Sequence, residues 1–232
     1  MQISYASSDH TSVGVESHTT AIDQRLGFRI ADIEQDLYER AHGLDPAGNM
    51  QTWGRQMHGG SQTWVGLESH ALLTPYDELN RMCQQLAIGE NGHIVDLGAG
   101  YGRMAFVLNH YQPSAYFTGV ELVPERVSEG NRLFGKYGLR RAQLVEDNLF
   151  RPDFTLPLAD AYLIYDYGNI EHIRWTMGQL QHLAGVHRFK VIARGKGVRT
   201  LIQYAHPWLT VLGVPYHEEN FSIYSTYDDG LH

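Results

Sequence analysis

The stretch HIVDLGAGYGR, His93 to Arg103, decides the fold. A buried strand carries Asp96 at its end, and the chain then passes through Gly98, Gly100 and Gly102 into a helical pattern. Met104, Val107, Leu108 and Tyr111 fall on one face of that helix. Glycines let a backbone come close to a ligand, and a helix start offers free N–H groups and the positive end of its dipole. The turn therefore reads as a binding site for something polar or adenosine-like.

Outward from this turn, short apolar runs alternate with amphipathic ones from Asn91 onward, the pattern of βαβ units. The run Ala115 to Glu121 reads as a second strand whose terminal acid stands 23 residues after Gly98, where a carboxylate can accept two hydrogen bonds from a ribose diol. A helix opens at Val123-Pro124-Glu125, with Val127, Phe134 and Tyr137 on its inner stripe. A third strand, Ala142 to Glu146, delivers Asp147 and Asn148, placed to meet an exocyclic adenine amine and to wall the ring. The spacing also separates cofactor classes. The dinucleotide fingerprint needs its third glycine at 103, where Arg103 stands. G-x-G-x-G with Asp96 ahead of it suits a ligand bearing an ammonium group, which S-adenosylmethionine has and NAD lacks.

A fourth strand, within AYLIYDYGNI at 161–170, ends in Asp166, Tyr167, Gly168 and Asn169 before a helix bearing Ile170, Ile173, Met177 and Leu180. Ligands bind at the carboxyl ends of parallel strands, so the substrate nitrogen is expected here. His187 to Ala193 reads as a fifth strand, Arg194 to Arg199 as a basic turn into a helix, and Thr210 to Tyr227 as two strands around His217 to Asn220.

The chain of 232 residues divides into 1–25, a Ser-, Thr- and His-rich segment expected to be mobile or draped; 26–90, a helical cap; and 91–232, the cofactor-binding domain. In the cap, Ile30, Ile33, Leu37 and Ala41 form a helical stripe stopped by Gly43. Thr74-Pro75 opens a second helix, with Thr74 as N-cap, Asp77 completing a capping box, and Tyr76, Leu79, Cys83 and Leu86 on one face. Between them QTWGRQMHGGSQTWVG, 51–66, reads either as a lid or as a surface loop anchored by Trp53 and Trp64. Eighteen Lys and Arg against 26 Asp and Glu leave a formal charge of −8, which repels phosphate backbones and anionic membranes, so neither nucleic acid nor membrane is expected as a partner. The single cysteine, the lack of metal-ligand spacing and of long apolar runs, and a start without Lys or Arg before Arg25 point to a metal-free, cytoplasmic protein.

Taken in order, VDLGAGYGR at 95–103, GVELVPERV at 119–127, VEDNLF at 145–150 and AYLIYDYGN at 161–169 resemble the class I S-adenosylmethionine-dependent methyltransferases. The resemblance implies an α/β, Rossmann-like three-layer sandwich, with a mostly parallel seven-stranded sheet, an antiparallel C-terminal strand and an N-terminal helical cap. Within the family the chain is loosely similar to the seven-strand, non-SET protein lysine methyltransferases. That likeness carries cofactor contact onto Thr74, Tyr76, Asp96, Gly98, Gly100, Arg103, Glu121 with its neighbour Leu122, Asp147 and Asn148. The candidate catalytic set is Asp166, Tyr167 and Asn169: Asp166 to hold or deprotonate an ammonium, and Tyr167, with Tyr165 or Tyr76, to offer a hydroxyl or ring face to the cationic centre. The Asn/Asp-Pro-Pro-aromatic tetrapeptide of base and glutamine methyltransferases is absent. The expected reaction is methyl transfer to an amine nitrogen, a protein lysine first. A small-molecule N- or O-methyltransferase is the alternative, followed by a non-catalytic binding module on the same fold. Oligomeric state stays open.

Overall fold

A computed structural model describes residues 3–43, 56–58, 61–65, 73–211 and 213–228. Its elements in chain order begin with α1 (Ser12–Leu26), α2 (Ile30–Gly43), β1 (Gln56–His58), β2 (Ser61–Thr63) and α3 (Tyr76–Gln85). There follow β3 (His93–Leu97), α4 (Arg103–Tyr111), β4 (Tyr116–Glu121), α5 (Pro124–Tyr137), β5 (Ala142–Glu146) and β6 (Ala161–Tyr165). The chain continues through α6 (Ile170–Ala184), β7 (Lys190–Arg194), α7 (Lys196–Ala205), β8 (Tyr216–His217) and β9 (Phe221–Ser225).

Seven strands form one sheet in the order β5-β4-β3-β6-β7-β9-β8. The five from β5 to β7 are parallel neighbours, and β9 runs antiparallel to both β7 and β8. This is the mixed, Rossmann-like sheet that the family resemblance implies. The strand order reverses between β3 and β6, which opens a crevice at their carboxyl ends.

Strand periodicity divides the core between the two faces. Ile94, Ala161, Leu163, Ile192 and Phe221 point to the layer that supplies Leu26, Leu79, Met82, Met104, Leu108 and Phe134. Val95, Leu97, Val120, Tyr162, Ile164 and Val191 point the other way, onto Ile173, Met177 and Leu180 of α6 and Val198, Leu201 and Ile202 of α7. Helices on both faces explain why the central strands read as unbroken apolar runs.

Three local expectations change. The N-terminal segment, read as mobile or draped, contains α1, capped by the Thr11 side chain at Gly14 N–H and by Gly27 in the left-handed region. Its inward face is Thr19, Ile22, Asp23 and Leu26, half of it polar, so apolar periodicity does not reveal it. Thr74 is not the N-cap of α3: that place is taken by Pro75, with no side-chain cap bond, and Asp77 instead accepts from Ser7 N–H at 2.9 Å. Finally, α3 packs beside α4 in the layer over the sheet, whereas a partition at residue 91 puts it in the cap.

Of the 51–66 stretch, β1 and β2 pair antiparallel with Gln56 opposite Thr63, while Trp53 and the Gly59-Gly60 pair lie outside the described residues. Among the described residues no helix is long and apolar enough to cross a membrane.

Candidate cofactor site

The glycine turn closes β3 against β4: the N–H groups of Gly98 and Ala99 both donate to the Val120 carbonyl, at 2.9 and 3.0 Å. Gly98 has φ +83°, and a Cβ there would lie 2.9 Å from the Tyr167 Cβ. Gly102, at φ +73°, is the N-cap of α4, and a Cβ on it would come within 2.6 Å of the Phe134 ring. Both positions demand glycine for the conformation and for the space.

Three acids expected around a cofactor lie on adjacent strands. Asp96 sits on β3 opposite Gly119 of β4, Glu121 ends β4 opposite Glu146, and Asp147 follows β5, its N–H donating to the Glu121 carbonyl at 3.1 Å. Asp96 is 7% exposed. Burial, and then the neighbouring Glu121 carboxylate, push its carboxyl up to about 8. No hydrogen bond or ion pair from a described residue offsets that burial.

Glu121 is more occupied than a bare ribose acceptor. Its Oε2 accepts from Gly100 N–H at 2.8 Å and its Oε1 from Val123 N–H at 3.0 Å, with Arg126 Nη1 3.6 Å from Oε1. Each oxygen keeps one lone-pair direction for a ligand hydroxyl. Leu122 beside it is half-buried. Asp147, also half-buried, accepts from Asn148 N–H at 2.7 Å and pairs with Arg151 at 3.3 Å; the Asn148 side chain accepts from Phe150 N–H at 2.9 Å.

Other expected site residues are engaged elsewhere. Arg103 is buried and turned away from the glycine turn: its guanidinium pairs with Asp23 of α1, donates to the Thr74 carbonyl at 3.2 Å and lies 5.3 Å over the Tyr76 ring. Tyr76 has no exposed surface, and its hydroxyl donates to Asp23 at 2.9 Å. Both belong to a buried knot behind the turn.

The candidate catalytic set is likewise structural in its contacts. Both Asp166 oxygens accept backbone N–H groups at the start of α7, from Gly197 at 2.9 Å and Val198 at 2.7 Å. Asn169 is the N-cap of α6 and accepts from Glu171 and His172 N–H. The Tyr167 hydroxyl is bonded to Thr176 within α6, and burial raises its pKa well above the usual phenol value.

Two buried ion pairs, Glu78 with Arg194 and Glu34 with Arg126, escaped the sequence reading. Tyr165, at the tip of β6, lies beneath the Arg194 guanidinium at 4.0 Å, and Arg194 pairs bidentately with buried Glu78 of α3, at 2.8 and 3.3 Å. Glu34 of α2, also buried, accepts from the Tyr101 hydroxyl at 2.8 Å and from Arg126 at 2.8 and 3.1 Å. Its signal was present: Glu34 stands four residues after Ile30 and three before Leu37, a charge on an apolar stripe. Among the described residues no group of three or more His, Cys, Asp or Glu side chains could hold a metal ion.

No protein-family model and no curated protein matches the chain. Solved structures do. An RNA methyltransferase from Salinibacter ruber, in complex with S-adenosyl-L-homocysteine, is 17% identical over 66% of this chain and 91% of its own, with a TM-score of 0.50. A precorrin-6y C5,15-methyltransferase from Geobacter metallireducens is also 17% identical, over 70% of this chain and 93% of its own, with a TM-score of 0.49. The C-terminal domain of precorrin-6Y C5,15-methyltransferase from Rhodobacter capsulatus gives 16%, 66%, 89% and 0.48. At such identities the likeness to the first of these establishes the fold: this chain has the Rossmann-like fold of class I methyltransferases.

Proposed function

We propose that the chain is an S-adenosylmethionine-dependent methyltransferase. The observation that carries this reading is the buried Asp96 carboxyl beside Glu121 at the glycine turn, uncompensated among the described residues. A site with that surplus of acid suits a ligand carrying an ammonium. The open lone pairs of Glu121 suit a ribose diol, and Asp147 with Asn148, one strand further, suits the adenine edge. Gly98, Gly100 and Leu122, neighbours of these acids in the chain, are assigned to the same path. When bound, S-adenosylmethionine supplies a methyl group activated by a sulfonium. The chain's part is then alignment of an acceptor and exclusion of water.

For the acceptor, an amine nitrogen, in a protein lysine or a small molecule, is the class favoured by the formal charge of −8. With Asp166 bound to α7 and the Tyr167 hydroxyl bound to Thr176, Tyr165 takes the acceptor-facing place at the strand end, its ring steadied by Arg194.

Isothermal titration with S-adenosylmethionine and S-adenosylhomocysteine is expected to show binding of both, with NAD silent. Heat from NAD alone, or from none of the three, overturns the reading. Radiolabelled donor added to a cell extract then sorts acceptors: label in a protein band supports lysine, label among small molecules supports the alternative, and label in RNA refutes the inference from charge.

A further inference from the structure

The cap helix α2 meets both cofactor stations at once. On the glycine turn, Tyr101 is fully buried against Ile30 and Leu73. Just past the ribose acid, Val123 is fully buried against Leu37 and Val65. Between these apolar contacts stands Glu34, 6% exposed, receiving Tyr101 and Arg126 together.

Arg126, 3% exposed, is the shared cation of two carboxylates, and it is not shared equally. It makes two hydrogen bonds to Glu34, at 2.8 and 3.1 Å, and a third to the Trp64 carbonyl at 2.6 Å, but stays 3.6 Å from Glu121. At that distance it attracts Glu121 without taking a lone pair. The charge of Glu34 holds the guanidinium back. Were it neutral, Arg126 would close on Glu121 Oε1, which already accepts from Val123 N–H, and fill the direction left for a ligand hydroxyl.

We propose that Glu34 is a positioning residue for the cofactor: through Arg126 it keeps the Glu121 carboxylate open to the ribose, and through Tyr101 it sets the glycine turn, so that docking of α2 and cofactor binding are coupled. The inference rests on the cofactor reading above and adds to it an element with no motif residue of its own.

The test is a double-mutant cycle read by titration with S-adenosylhomocysteine. Glu34→Gln keeps an acceptor for Tyr101 and Arg126 but removes the charge, and is expected to weaken binding about tenfold. In a Glu121→Gln background the same change is expected to alter affinity less than about twofold, because the carboxylate it protects is gone. 5′-Methylthioadenosine, which has the ribose but no amino-acid end, is expected to lose affinity in parallel. An unchanged Glu34→Gln affinity, or an equal loss in both backgrounds, overturns the inference while leaving the cofactor reading intact. A wild-type protein that binds no S-adenosylhomocysteine overturns both. Should Glu34→Gln fail to fold, Glu34→Asp runs the same cycle, since it draws the charge back from Arg126 by one methylene, with an expected loss of about threefold that likewise disappears without Glu121.

Discussion

Asp96 shows how one residue links the site to solution behaviour. Its folded pKa is pushed up to about 8 by burial and by Glu121, against about 3.9 for an unfolded aspartate, so the native state holds a proton that the unfolded state has released. Stability from this group is present below about pH 4 and is lost as pH rises toward 8. Thermal midpoints are therefore expected to fall between about pH 5 and 8, and Asp96→Asn is expected to flatten that slope. Ligand binding has the opposite sign. An ammonium favours the ionised carboxylate, so S-adenosylhomocysteine affinity is expected to rise with pH up to about 8 and then level off. Titration in two buffers of different ionisation enthalpy checks this, with release of close to one proton near pH 6.5 expected. No release would separate Asp96 from the ligand's amino group. Asp96, Glu121 and Asp147 were legible in the sequence because each stands at a set offset from a strand end, and strand ends are what apolar runs mark best.

At the scale of elements, Asp166 joins two helix-bearing units that the sequence treats separately. Its oxygens cap α7 from the end of β6, 31 and 32 residues upstream of the N–H groups they accept. Gly195 and Gly197 make room for it: a Cβ at either would lie 2.3 or 2.9 Å from the carboxylate. Asp166→Ala leaves those two N–H groups without an acceptor and is expected to cost about 1–3 kcal/mol of folding stability, with Asp166→Asn losing less. Urea denaturation measures this. Affinity for S-adenosylhomocysteine is expected to stay within about twofold, since both Asp166 oxygens are already engaged by N–H groups of α7. A large loss of affinity with unchanged stability would move Asp166 from the catalytic set, where the sequence puts it, into the cofactor site. The same case shows where reading a sequence stops. Periodicity finds β6 and α6, and the composition at 195–197 suggests a turn, but a cap supplied by a different element leaves no local pattern. Arg103 is hidden for the same reason, because its partner Asp23 lies 80 residues earlier.

Across the whole molecule, that last pair decides whether the N-terminal segment is an appendage or part of the domain. Tyr5, Ile22 and Leu26 pack in one cluster with Tyr76, Leu79 and Met104. Beneath them the Asp23 carboxylate receives the Tyr76 hydroxyl and the Arg103 guanidinium, whose side chain is 3% exposed. Burial pushes the Asp23 carboxyl up, and Arg103 and Tyr76 only partly offset it, so the intact pair adds little net stability. Breaking it is another matter. Asp23→Ala strands a buried cation at the first residue of α4, directly after the glycine turn, and is expected to cost about 3–5 kcal/mol and to weaken S-adenosylhomocysteine binding. Arg103→Met in the same chain removes the stranded charge and is expected to restore most of the stability, because an apolar side chain tolerates that environment. Thermal or urea unfolding of wild type, both single variants and the double variant closes the cycle. If the double variant is no more stable than Asp23→Ala, the loss comes from the packing of α1 and not from the unpaired charge. If Asp23→Ala unfolds no more easily than wild type, α1 is not anchored by this knot.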